Sequence, residues 1–178
     1  TNPSSSFSLN TFKRVFAPDS YRLNGSKNLD EYSRSFAQDI ERKINEFKKE
    51  NIGFAGIILC PFFANEGFPN LPNGWLEPAQ KIIKKHGGII IADEVQPGFG
   101  RLGSSMWSHD IIGIQPDIVT IGKPMANGHP VGALITNYNF ISEFRKATAT
   151  HIQKWIFQRN SYPPDKYLQN IIIFKSLT

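Results

Sequence analysis

Apolar residues recur at three- and four-residue steps through residues 30–49, where Phe36, Ile40, Ile44 and Phe47 fall on one side of a helix with charges between them. This predicts an amphipathic helix broken by Gly53. The period then changes. Phe54-Ala55-Gly56-Ile57-Ile58-Leu59 is a short continuous apolar run, expected as a buried strand. Pro61, Gly67, Pro69 and Pro72 mark residues 61–73 as loop, and a second helix is expected over about 74–86, stopped by Gly87-Gly88. Ile89-Ile90-Ile91-Ala92 is apolar on both faces, and residues 117–121 and 131–136 supply two further strand patterns. Apolar runs alternating with helices predict an α/β fold, a mostly parallel sheet flanked by helices on both faces. Residues 1–30, rich in Ser, Asn and Pro, are expected to be irregular. Residues 149–178 hold Trp155, Pro163-Pro164 and an isolated Ile171-Ile172-Ile173-Phe174 run, with no clean helix or strand organisation.

The chain has 178 residues, 40% hydrophobic and 20% charged, a globular composition long enough to bury a core. Its net charge of +5 comes from scattered residues and short pairs such as Lys48-Lys49 and Lys84-Lys85. There is no basic arm or stripe, so a nucleic-acid partner is not expected. Cys60 is the single cysteine, which fits a reducing, intracellular compartment, with mitochondrion and cytoplasm both open. No apolar run reaches membrane-spanning length, so no membrane partner is expected. His86, His109, His129 and His151 are dispersed without ligand spacing, so no metal site is expected.

The informative stretch runs from residue 89 to 136. Asp93 and Lys123 both fall just past the ends of apolar strand patterns, where doubly wound sheets bind their ligands. A carboxylate and an amine delivered to one rim are what a pyridoxal 5'-phosphate site requires. If the strand continues, Asp93 and Val95 point the same way, because strand side chains alternate. Taken singly, a strand-end Asp is more often a loop cap and a Lys after Gly a solvated surface residue. Gly98-Phe99-Gly100-Arg101-Leu102-Gly103 matches the dinucleotide fingerprint G-x-G-x-x-G, but Ser104-Ser105-Met106-Trp107 is a poor helix start and Asp117 comes too early for the ribose-binding acid.

Together, Ile91-Ala92-Asp93-Glu94-Val95-Gln96, Gly98-Phe99-Gly100-Arg101, Pro116-Asp117-Ile118-Val119-Thr120, Gly122-Lys123 and Asn127-Gly128-His129-Pro130-Val131-Gly132-Ala133 resemble, in order and spacing, the signature of the class III aminotransferases. Ala17-Pro18-Asp19-Ser20-Tyr21-Arg22 and Leu71-Pro72-Asn73-Gly74-Trp75-Leu76 are similar to further segments of that family, so the resemblance covers roughly residues 11 to 148. The Asn-Gly-His-Pro form leans toward the branch of alanine–glyoxylate-type aminotransferases and related phospho-lyases.

The resemblance implies the large, cofactor-binding domain of a fold-type I pyridoxal-phosphate enzyme. It implies Lys123 as the Schiff-base lysine and proton shuttle, and Asp93 as the partner of the pyridine nitrogen. Val95 would lie against one ring face and Gln96 would bond the ring's phenolic oxygen; Glu94 would face away and support the sheet or a neighbouring loop. It further implies a transaminase moving an amino group between an amino acid or amine and a 2-oxo acid, and a homodimer. The alternatives are a phospho-lyase acting on a phosphorylated amino alcohol, or a truncated product without catalysis. Cys60-Pro61 stands where family members commonly have Glu-Pro. The family's phosphate-holding turn, its ring-stacking aromatic and its Thr-bearing segment past residue 148 find no counterpart. The expected organisation is an irregular segment over 1–30, part of the large domain over 31–148, and an unmatched tail over 149–178. On this reading the 178 residues are a fragment, inactive alone.

Overall fold

The computed structural model describes residues 11–23, 26–127, 129–148 and 171–175. The expected first helix is α1, Leu29–Lys49. Asn28 caps it by accepting from the Glu31 amide at 2.8 Å, and Asp30 and Glu31 begin it while Lys48 and Lys49 end it, as the helix dipole favours. Its apolar stripe, Tyr32, Phe36, Ile40, Ile44 and Phe47, is buried as the period predicts. The second helix, α2, spans Glu77–Lys85, with Pro in its first turn. Its Ala79 and Ile83 meet α1 in one core cluster with Trp75, Leu76 and Ile90.

Strands β1 (Gly56–Leu59), β2 (Ile89–Asp93) and β3 (Ile118–Ile121) pair in parallel, with α2 crossing between the first two and a short helix α3 (Ser108–Ile112) between the second and third. Asp117 ties the start of β3 to its neighbours: its amide donates to Ile90 O at 2.8 Å, and its carboxylate accepts from the Ile90 amide at 2.8 Å and from Lys84 Nζ at 2.6 Å.

The sheet departs from expectation in three ways. The fourth strand, β4 (Val131–Thr136), runs antiparallel to β3, because the connection over 122–130 is too short for a parallel crossover. The run at Ile171 in the supposedly unorganised tail is a strand, β5 (Ile171–Lys175), antiparallel to β4; it supplies the partner that β4's free edge requires. The sheet order is therefore β1-β2-β3-β4-β5, four strands running one way and β4 the other. Finally, the sheet is not covered evenly. Ile57 and Leu59 pack toward α1 and α2, whereas Ile58, which the register places beside Ile91, is 60% exposed.

Residues 11–23 are irregular apart from short turns, yet they are docked. Phe16 lies against Tyr32 and Phe36, and its amide donates to Asp39 Oδ2 at 3.0 Å. A last helix, α4 (Tyr138–Thr148), follows β4. No helix among the described residues is long and apolar enough to cross a membrane.

Candidate functional site

The register sets Asp93, the last residue of β2, beside Thr120 of β3, and Lys123 follows two residues past the end of β3. The two sequence-predicted residues therefore share the carboxyl rim of adjacent parallel strands. Asp93 is half-buried and Lys123 exposed. Asp93 Oδ1 accepts from the Val95 amide at 3.1 Å and from Thr120 Oγ1 at 3.3 Å. Both bonds fall on one oxygen, so the carboxylate is oriented while Oδ2 accepts no hydrogen bond among the described residues. The cap and the ligand readings of Asp93 are thus compatible in one side chain.

Strand β2 ends at Asp93 and residues 95–100 form turns, so alternation does not place Val95. The turn does. Val95 lies under Gly122: a side chain at Gly122 would meet its methyls at 3.5 and 3.7 Å. This contact brings Val95 beside the residue preceding the lysine. Lys123 Nζ donates to Gln96 Oε1 at 2.8 Å, which joins the fourth predicted residue to the group. Lys123 sits at φ 43°, in the left-handed region that a side chain disfavours, at the start of a 3-10 turn over Lys123–Ala126. Such backbone concentrates at sites where geometry is held for function. Asp93, Val95, Gln96 and Lys123 are therefore all brought together.

Sequence reasoning missed Thr120. Its signal was a hydroxyl within the otherwise apolar Ile118-Val119-Thr120-Ile121, in register with the candidate acid. Cys60 follows β1 next to this rim. Burial pushes its thiol pKa up and the nearby Asp93 charge adds to that, so it stays a protonated thiol. The glycines from 98 to 103 lie in turns, with Gly100 and Gly103 at positive φ, and open no helix. A surface hollow of about 510 Å³ lies elsewhere, on the polar side of α1, lined by Glu41, Arg42, Glu46 and Lys49. Arg42 and Glu46 pair across it at 2.8 Å, as solvated helix faces do. Among the described residues no group of His, Cys, Asp and Glu could hold a metal ion.

A largely parallel sheet flanked by helices is the architecture this chain shares with the fold-type I pyridoxal-phosphate transaminases among its structural neighbours. The chain belongs to the class III aminotransferase family, whose model matches residues 3–153. It is 38% identical over 109 residues to an alanine–glyoxylate aminotransferase 2-like protein of Drosophila melanogaster, covering 61% of this chain and 22% of that one. It is 35% identical over 105 residues to ethanolamine-phosphate phospho-lyase homolog 1 of Caenorhabditis elegans, covering 58% of this chain and 22% of the relative. A phospholyase from Arthrobacter, solved with phosphoethanolamine, superposes with a TM-score of 0.63 at 35% identity, covering 69% of this chain and 30% of its own. The chain thus spans about a fifth of the length of the curated relatives it matches.

The family implies pyridoxal phosphate, and the residues at the rim fit its ring and aldehyde end. Asp93 has one oxygen committed and one to spare, Lys123 presents an exposed amine, and Val95 offers an apolar surface beside it.

Proposed function

We propose that this chain carries the ring-binding rim and reactive lysine of a pyridoxal-phosphate-dependent transaminase, which moves an amino group from a small amino acid or amine to a 2-oxo acid. The observation that carries this reading is the joining of Lys123 to Gln96, and of Val95 to Asp93, at one rim. When bound, pyridoxal phosphate supplies an electron-accepting ring that stabilises negative charge developing at the substrate Cα. The protein's own residues do the rest. Asp93 would hold the pyridine nitrogen and, as a negative charge at hydrogen-bond range, would keep it protonated. Thr120 and the Val95 amide hold the carboxylate in the orientation this requires. Val95 would give the ring an apolar surface, and Gln96, which accepts from the Lys123 amine, would bond the phenolic oxygen. Lys123 would hold the cofactor's aldehyde end and would then serve as the base that takes and returns the proton at the substrate Cα.

A phospho-lyase acting on a phosphorylated amino alcohol is the second reading. It is favoured by the 35% identity to phospho-lyase relatives by both sequence and structure. The two reactions share every residue named. A homodimer and an intracellular location, cytoplasmic or mitochondrial, complete the proposal. The family's phosphate-holding turn has no counterpart in the sequence, so the 178 residues alone are proposed to bind the cofactor weakly and to lack turnover.

The test uses the longest natural form of the protein. Lys123→Ala should abolish the visible absorbance that develops on adding pyridoxal phosphate; an unchanged band overturns the lysine assignment. Asp93→Asn should leave cofactor binding measurable but slow turnover on the order of 100-fold or more, as loss of a preorganised charge does. Near-normal turnover would reduce Asp93 to a turn cap. Assay with alanine and glyoxylate against phosphoethanolamine separates the two reactions.

A further inference from the structure

The residue next to Asp93 has a separate arrangement of its own. Glu94 is 0% exposed, and its Oε1 accepts three donors at 2.8 Å: Ser108 Oγ, the His109 amide and His109 Nδ1. Its Oε2 is buried with no partner among the described residues. Isolated buried carboxylates are costly, so the three donors on one oxygen hold the group where it is. Nδ1 of His109 donates to Glu94, and Nε2 of the same ring lies 3.7 Å from Asp110 Oδ1.

The backbone of Glu94 is clamped as well. Its amide donates to Thr120 O at 2.9 Å, and its carbonyl accepts from the Gly98 amide at 3.0 Å. The turn over 94–98 is thereby closed on Glu94. Gly98 permits the closure, since a Cβ there would meet Glu94 O at 2.7 Å and the Trp107 ring at 3.0 Å. Trp107 in turn stacks on His109 and meets Phe99 edge-on. Val95 and Gln96 lie within this closed turn, and Gln96 holds the Lys123 amine. A physical chain therefore runs from His109 through Glu94 to Gln96 and Lys123.

We propose that Glu94, Ser108 and His109 form a positioning device for the cofactor rim, fixing the turn that carries Val95 and Gln96 and hence the place of the Lys123 amine. The inference rests on the proposed function, and it assigns work to three residues outside the proposed cofactor contacts. A merely structural anchor would hold the fold; a positioning device also sets how selectively Lys123 meets an aldehyde.

Reductive trapping separates these roles. The longest natural form of the protein is incubated with pyridoxal phosphate and borohydride, and labelled lysines are quantified by peptide mass spectrometry. Trapping accumulates even weak, reversible contacts. Lys85 and Lys146, each with a side chain 70% exposed, serve as internal references. In the parent, Lys123 should be labelled about 3- to 10-fold faster than the references, because oriented groups react faster than free ones. Glu94→Gln and His109→Ala should bring that ratio to about one while far-ultraviolet circular dichroism stays native, the loss of orientation alone removing the advantage. His109→Asn, whose amide can donate in place of Nδ1, should restore it. Variants that keep the parent's ratio overturn the positioning role, whatever their melting temperature. If Glu94→Gln does not fold, Ser108→Ala and His109→Ala carry the same test by removing one donor each. A parent with no preference for Lys123 overturns the proposed function itself, and the positioning role falls with it.

Discussion

The two faces of the sheet are built from almost the same residues and have different fates. Toward α1 and α2, Ile57, Leu59 and Ile90 join a continuous core with Phe36, Ile44 and Ile83. On the other face Ile58 is 60% exposed, and Asp93 stands half-buried at the rim. An isoleucine triplet does not say which of its members will be covered. The difference shows that apolar content drives a segment into the sheet, whereas the helices decide which face becomes core. Stability should therefore reside on one face and chemistry at the edge of the other.

The largest expected effect tests the covered face. Phe36→Ala removes a ring 2% exposed and packed against Phe16 and Trp75, and should cost about 3–5 kcal/mol in urea denaturation, the usual range for a buried phenylalanine. A loss below 1 kcal/mol would mean that α1 does not sit on the sheet as described.

A second effect concerns acid. Burial alone would raise the Glu94 pKa, but the bonds from His109 and Ser108 outweigh it and hold the group below the usual carboxylate range. A carboxyl depressed on folding contributes stability that is fully present above its unfolded pKa. That contribution is lost as pH falls through the folded one. Stability should therefore hold from neutrality down to about pH 4.5 and then fall, with Glu94 accounting for about 1–3 kcal/mol, the scale of hydrogen bonds to a buried charge. Glu41, Glu46 and Glu77 are also lowered, by pairing with Lys, Arg or His at the surface, and salt should screen their share. Chemical denaturation across pH, at low and high salt, separates the buried contribution from the exposed ones. An acid limb unchanged in Glu94→Gln would break the assignment.

A smaller effect marks the rim. Thr120→Val removes a hydroxyl bonded to Asp93 Oδ1 while keeping the side chain's shape, and should cost about 1 kcal/mol or less in stability. It should nevertheless lower the trapping selectivity of Lys123 measurably. Equal loss in both would make Thr120 an ordinary sheet residue. The smallest effect belongs to the open face: Ile58→Thr should change stability by less than about 0.5 kcal/mol, as exposed substitutions do. A penalty of the size expected at Phe36 would show that Ile58 is covered in solution, and the contrast between the two faces would fail.

Much of this was legible in the residues alone. The candidate rim of Asp93, Val95, Gln96 and Lys123 was read from motifs that resemble a family's signature, whereas the stripe of α1, the breaks at Gly53 and Gly87 and the strand patterns ahead of Asp93 and Lys123 are written in local periodicity. Such features depend on neighbours a few positions apart, and φ/ψ preferences with a 2- or 3.6-residue period suffice to express them. The direction of β4, the partner found by Ile171–Lys175, the exposure of Ile58, the hydroxyl of Thr120 against Asp93 and the three donors on Glu94 were decided only by tertiary structure. Each depends on which distant segment arrives alongside. A strand's sequence specifies that its backbone must be paired and its apolar face covered, but not by which partner, and a buried carboxylate specifies only that donors must come.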